Sequence, residues 1–288
     1  MIYKSNEKLN ELIKIISRIP LDFGISSAVY QQWAEIIPSI IQKMYQQDND
    51  GKFELELFGK IQLPYVSFGN INSAHLFGLD EIILFVFYWN NRDRYQEVFD
   101  LGANIGLHTI MMSKCGFKVN SFEPDPKHID ILQANLDRNQ CEMATIHRSA
   151  VYSDNEEKEF IRVVGNTTGS HLAGMKENPY GELDTFKVKC TTFNSILAKR
   201  PSLIKMDIEG AEADVICSTK KDEWLATDML LEVGTEVNAK RIWNHLSSLG
   251  VNMFAQKCGW QAARSVENVP VSYKEGSLFI SMKDEMPW

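Results

Sequence analysis

The chain has 288 residues, 44% of them hydrophobic and 24% charged, with a formal net charge of −8. That length supports one large domain or two, and it carries enough apolar residues to bury a core without covalent staples. The acidic balance is the wrong sign for a surface that neutralises phosphates, so nucleic acid is not an expected partner. Cys115, Cys141, Cys190, Cys217 and Cys258 are odd in number and lack the short spacing of a zinc or redox pair, so reduced thiols are expected. The N-terminus leads into an amphipathic stretch rather than a signal-peptide hydrophobic region. The most apolar run, residues 82–89, is far shorter than the ~20 residues that span a bilayer. A cytoplasmic protein without a membrane span is the expectation.

In chain order, Leu9, Leu12, Ile13, Ile16 and Ile19 recur at helical spacing until Pro20 stops them. Residues 26–47 place Val29, Trp33, Ile36, Ile37, Ile40, Ile41 and Met44 on one broad face, with a kink expected at Pro38. Asp48-Asn49-Asp50-Gly51 is a turn cluster. Residues 53–57 alternate as a half-exposed strand does, with 61–68 a candidate partner. Asp80 is a candidate cap for a helix whose apolar body is 82–89. Residues 1–94 therefore read as a helical cap with a small β element, suited to covering an acceptor pocket or forming a homodimer.

From Glu97 the rhythm becomes strand, loop, helix. Strands are expected at 98–101, 117–122, 144–147, 203–206 and 229–233, and helices at 107–114, 127–139, from about 211, and at 240–249. Strands at 160–164, 186–191, 251–255 and 277–282 complete the reading. This alternation predicts an α/β domain over 95–288, a mostly parallel sheet with helices on both faces.

Such sheets bind ligands beyond the carboxyl ends of their strands. The first strand runs into Asp100-Leu101-Gly102-Ala103-Asn104-Ile105-Gly106, where Gly102 and Gly106 let backbone approach a ligand closely. A helix beginning near Ile105 would aim amides at an anion such as the carboxylate of a methionine moiety. Asp100 can accept from loop amides or meet the ligand's ammonium. Glu123, followed by Pro124, ends the second strand about 20 residues past the glycines, where a carboxylate can hold both hydroxyls of an adenosine ribose. The pattern G-x-G-x-x-G is not met, because Asn104 stands at the middle glycine, so a compact cofactor without phosphates fits better than a dinucleotide. His108, on the same helix, could position the ligand or merely pack.

DLGANIGLHT, then FEPDP, then KMDIEGAE, fall in one order over roughly residues 96–233. In these motifs the chain resembles the FkbM family of S-adenosylmethionine-dependent methyltransferases. The resemblance implies a class I methyltransferase, Rossmann-like fold with Asp100, Gly102, Asn104, Gly106 and Glu123 at the cofactor. It also implies methylation of a hydroxyl on a sugar, glycan or natural-product-like small molecule. Thr192-Phe193-Asn194 departs from the threonine-leucine-aspartate step that the family often shows before the fourth strand.

Methyl transfer is an in-line displacement that needs a dry, shaped site and removal of the acceptor's proton. Asp207 ends a buried strand, where a carboxylate without a partner costs several kcal/mol, and it is expected at the cofactor and in catalysis. Glu209, two residues on, is expected to point the other way from Asp207, so that one meets the cofactor and the other the acceptor or the next helix. Glu212 in the first helical turn is equally well a dipole-stabilising acid. Glu232, inside the apolar run 229–233, is a candidate acceptor contact or base. His171, in the polar loop 165–171, is a candidate base that could close over the site. Asp207, Glu209 and Glu232 could supply hard oxygen ligands to a divalent cation, but no spacing demands one and no metal is expected. An N- or C-methyltransferase, or a cofactor-binding module without turnover, is the alternative reading.

Overall fold

The structure is a computed structural model describing residues 3–47, 50–176 and 181–288. The turn residues Asp48 and Asn49 lie outside the described residues.

Eight strands form the main sheet: β1 (Glu97–Leu101), β2 (Lys118–Phe122), β3 (Ala144–His147), β4 (Leu203–Met206), β5 (Asp228–Glu232), β6 (Asn252–Ala255), β7 (Gln261–Ala262) and β8 (Ser277–Ser281). Their order is β7-β6-β8-β5-β4-β1-β2-β3. The five strands from β5 to β3 are parallel, while β8 runs antiparallel to both β5 and β6, and β7 antiparallel to β6. The sheet is thus mixed: a parallel centre with an antiparallel edge. The chain moves outward through β2 and β3, then returns to lay β4 on the other side of β1, so the strand order reverses between β1 and β4. A crevice opens at such a reversal.

Alternation along the strands builds two cores, one per face. Val98, Leu203, Leu230 and Phe279 face one, and Phe99, Ile204, Leu231 and Ile280 the other. The second core is closed by three helices that flank β4 and β5 in the chain, Phe193–Leu197, Glu212–Ile216 and Glu236–Leu249, the last giving Ala239, Ile242 and Leu246. The first is closed by the N-terminal third. Helix α1 (Glu7–Arg18) buries Leu9, Leu12, Ile13 and Ile16, and α2 (Ala28–Gln47) buries Ile37, Ile40, Ile41 and Met44. Helix α2 runs through Pro38 without interruption. The lost amide donor there is outweighed by the apolar face that holds both halves of the helix against one core.

The run 82–89 forms α3 (Leu79–Asn90), with eight buried residues; a helix apolar all round is a core helix. Its cap is Gly78, so Asp80 stands in the first turn rather than at the cap. There it accepts from the Tyr30 hydroxyl at 3.0 and 2.9 Å and from Gln256 Nε2 at 2.6 Å. Helix α4 (Leu107–Lys114) packs beside α3, and α5 (Pro126–Arg138) follows β2. The N-terminal helices and the sheet share one continuous core. No helix of the described residues is long and apolar enough to cross a membrane.

A separate antiparallel hairpin sheet is made of Lys158–Val163, His171–Leu172 and Leu183–Val188. It is held to the N-terminal third where Asn70 N–H donates to Gly165 O at 2.8 Å. It is held to α5 by Arg162, whose Nε and Nη2 grip both oxygens of buried Asp125 at 2.7 and 2.6 Å.

Candidate active site

Helix α4 spans the expected Leu107–Lys114, and the loop ahead of it needs three left-handed residues: Gly102 (φ 81), Asn104 (φ 51) and Gly106 (φ 90). A side chain at Gly102 would place its Cβ 1.8 Å from the Asp207 carbonyl oxygen, so this glycine lets the β1 and β4 loops touch. At Gly106 the Cβ would stand 2.3 Å from Leu132 Cδ1. Gly106 therefore serves helix packing and the start of α4; it does not line the crevice.

Glu123 is 5% exposed. Its Oε2 accepts from Asn104 N–H at 2.8 Å and its Oε1 from Asp125 N–H at 2.9 Å. Burial pushes its carboxyl up to about 8, against the pull of those two amides. Asp125 caps α5 through Lys127 N–H at 2.8 Å, with Pro126 at the first helical position. The FEPDP segment thus closes β2, presents a carboxylate and starts a helix within five residues.

Beyond β1, β2 and β4 lies a first cavity, partly open to solvent. Phe122, Val151, Phe160 and Leu172 make an apolar slot. Gly102, Asn104, Glu123, Pro124, Thr168, Asp207 and Glu209 line the rest. Its lining includes three carboxylates and, among the described residues, no lysine or arginine. The hairpin sheet roofs it, and His128 Nε2 meets the Thr167 hydroxyl at 3.0 Å beneath that roof. Asn104 Oδ1 is buried there without a hydrogen-bond partner. An acidic, partly apolar cleft with an unspent acceptor suits a cationic nucleoside such as S-adenosylmethionine and opposes a pyrophosphate.

Asp207 and Glu209 both face this cavity, where the sequence suggested opposite directions. Glu209 takes a left-handed conformation (φ 57), which swings it back beside Asp207 and against Lys176 of the hairpin side. Burial, and then Asp207, push the Glu209 carboxyl up to about 7. Glu212 folds onto its own loop, accepting from Gly210 N–H at 3.0 Å and Ile208 N–H at 3.3 Å. It is a staple for the strand-to-helix turn.

Three further candidates stand outside the lining of the first cavity. His171 is on a strand, 1% exposed, with Nδ1 on Gly169 O at 3.0 Å. Its neighbours Ser170 and Leu172 line the cavity and the alternation turns His171 away, so it cannot reach an acceptor there. His108 lies between α3 and α4, bonded to the Tyr88 hydroxyl at 2.9 Å and to Glu81 Oε2 at 2.6 Å, and does not line the first cavity. Asp100 is fully buried under the loop, accepting from the Thr109 hydroxyl at 2.7 Å.

Glu232 ends β5 and lines a second cavity with Glu81 and Lys205. Burial first, and then Asp207, raise its carboxyl well above the usual range. Lys205 was missed from sequence, although a lysine inside the strand Leu203–Met206 signals a buried partner. It sits 3.5 Å from Asp207 Oδ2. Burial opposes its charge, but Asp207, Asp100, Glu81 and Glu232 together hold it protonated. Arg162 in Lys158–Val163 carried the same unread signal. Among the described residues no group of three or more His, Cys, Asp or Glu is arranged to hold a metal.

The model of the methyltransferase FkbM domain matches residues 100–271, well over half of the chain. No curated protein matches it. A precorrin-6y C5,15-methyltransferase from Geobacter metallireducens GS-15 is similar at TM-score 0.37 and 11% identity, covering 68% of this chain and 85% of that one. An SAM-dependent methyltransferase from Agrobacterium tumefaciens is similar at TM-score 0.43 and 11% identity, over 81% and 70%. Monomeric WbdD is similar at TM-score 0.39 and 11% identity, over 70% of this chain, which spans only 40% of that one. Likenesses this distant carry no weight for the acceptor.

Proposed function

The chain belongs to the FkbM family of methyltransferases, with S-adenosylmethionine as methyl donor, and from that premise we propose that it methylates a hydroxyl of a sugar, glycan or natural-product-like small molecule. The observation that carries the placement of the cofactor is Glu123, whose carboxylate ends β2 inside an acidic cavity and is braced by Asn104 N–H. Gly102, Asn104, Glu123, Pro124 and Asp207 would hold S-adenosylmethionine, with its adenine against Phe122 and Val151. When bound, that cofactor supplies an electrophilic methyl group on a sulfonium.

The chain's own residues do the rest. Asp207 lines the first cavity on the side of Lys205, favouring a cationic centre beside it. Glu209 ties the hairpin side down through Lys176 and helps keep water out. Glu232 takes the hydroxyl proton: among the described residues its carboxylate has no hydrogen-bond partner, and burial raises its affinity for protons, which strengthens it as a base. Neither His171 nor a metal is given a part.

Calorimetry with S-adenosylhomocysteine tests this reading. Wild type should bind, and Glu123→Ala should weaken binding about 100-fold, the loss of two hydrogen bonds to a buried carboxyl group at roughly 1.5 kcal/mol each. Equal affinity in the two proteins would remove Glu123 from the ribose.

A further inference from the structure

The second cavity lies on the α3 side of the sheet, partly open to solvent, and its walls come from regions far apart in sequence. Gly78, Asp80, Glu81 and Leu84 come from the N-terminal third, Lys205 and Glu232 from β4 and β5. Lys205 is 8% exposed, yet its ammonium has three donors and a single 3.5 Å contact, to Asp207. Asp207 itself lines the first cavity, so this one pair stands between the two spaces. Glu232 is without a hydrogen bond among the described residues, and Glu81 spends only Oε2, on His108 at 2.6 Å. A buried ammonium with spare donors, beside carboxylates with spare acceptors, is a surface awaiting a ligand that both donates and accepts.

We propose that the second cavity is the acceptor site, that Lys205 and Glu81 position the acceptor there, and that it takes neutral or amino-bearing polyhydroxyl compounds and refuses carboxylated or phosphorylated ones. This rests on the reading of the first cavity as the cofactor site. Hydroxyl groups match the lining on both counts, accepting from Lys205 and donating to Glu81 and Glu232. The one ammonium of the lining is already paired with Asp207, and Glu81 and Glu232 offer only acceptors, so an added anion finds no free positive charge, whereas an amine gains. The N-terminal third then acts as the wall that selects the acceptor, with His108 and Tyr88 fixing Glu81 from behind.

Gly78 gives a clean test, because a Cβ added there meets nothing within 4 Å and its backbone (φ −74) accepts any residue. Gly78→Trp should fill the second cavity and leave the first open. Saturation-transfer NMR on the protein with S-adenosylhomocysteine would use methyl glucoside, glucosamine and glucuronate as probes. Wild type should give signals with the first two and an about tenfold weaker one with glucuronate, an effect of like-charge placement. Gly78→Trp should abolish all three while keeping S-adenosylhomocysteine affinity within about twofold, since mutations without shared partners act separately. Glu81→Gln with Glu232→Gln should bring glucuronate level with methyl glucoside, and this reads the same claim should Gly78→Trp fail to fold. Three results overturn the proposal: no signal from the neutral and amino probes, undiminished signal in Gly78→Trp, or glucuronate equal to them in wild type. Failure of wild type to bind S-adenosylhomocysteine would instead strike the first cavity, and the same probes without it would still judge the second.

Discussion

The two cavities are built in different ways. The first is lined on one side by two short segments, Gly102 to Asn104 after β1 and Glu123 to Pro124 after β2, each with its own turn chemistry, and is completed from farther along the chain by the hairpin sheet, Asp207 and Glu209. The second is assembled from residues separated by well over a hundred positions, with Glu81 and Lys205 brought together only because α3 packs on the sheet face that carries β4. A site made of local motifs holds a ligand that stays constant. A site made by packing a variable flank on a fixed sheet can change its ligand without disturbing the first.

That contrast can be broken by variants that damage one cavity alone. The largest expected effect is that of Arg162→Met, which leaves the buried Asp125 without its bidentate partner at a cost of about 3–5 kcal/mol. Thermal unfolding should fall clearly, and S-adenosylhomocysteine affinity with it, as the roof of the first cavity loosens. An unchanged melting temperature would show that the hairpin is not clamped there.

Next comes Glu232→Gln, which should cut kcat about 100- to 1,000-fold, the range for losing a general base, while cofactor affinity stays within about twofold. Loss of affinity in step with kcat would move Glu232 into the first cavity.

A smaller effect concerns pH. The folded Glu123 carboxyl is raised to about 8 by burial, from a model-compound value of 4.5. Its contribution to stability is therefore fully present below the unfolded value and is lost as pH rises through about 8. Between about pH 5 and 9 the melting temperature of wild type should decline more steeply than that of Glu123→Gln, because the amide has no proton to lose. Parallel slopes would mean that Glu123 ionises freely. The smallest effect expected is on turnover in His171→Gln, since that ring faces away from the first cavity; a loss beyond about tenfold would restore it as a base.

Much of the first cavity was legible in the sequence for the same reason that it is local. Gly102, Asn104 and Glu123 sit in segments where spacing along the chain equals proximity in space. Asp207 was legible because it ends a buried strand. The places of Gly106 and His108 were not legible, because a glycine or histidine beside a ligand loop looks the same from sequence whether it meets ligand, helix α5 or Glu81. His171 looked like a polar-loop residue because Ser, Thr, Asn and Gly surround it. Pairing with Ile161 made it part of a strand and fixed the side it faces. Asp80 read as a helix cap and stands instead in the first turn, and Glu81 beside it gave no signal; only tertiary packing brings Glu81 to the cavity that Lys205 lines. The antiparallel edge of the sheet was hidden for a similar reason, since strand direction depends on partners and not on composition.

The most direct test of the account is a crystal structure of the protein with S-adenosylhomocysteine. The ribose hydroxyls should lie within hydrogen-bonding distance of the Glu123 carboxylate, with the adenine between Phe122 and Val151 and the second cavity free of the nucleoside. A nucleoside bound elsewhere, with Glu123 still turned only to the amides of Asn104 and Asp125, would contradict it.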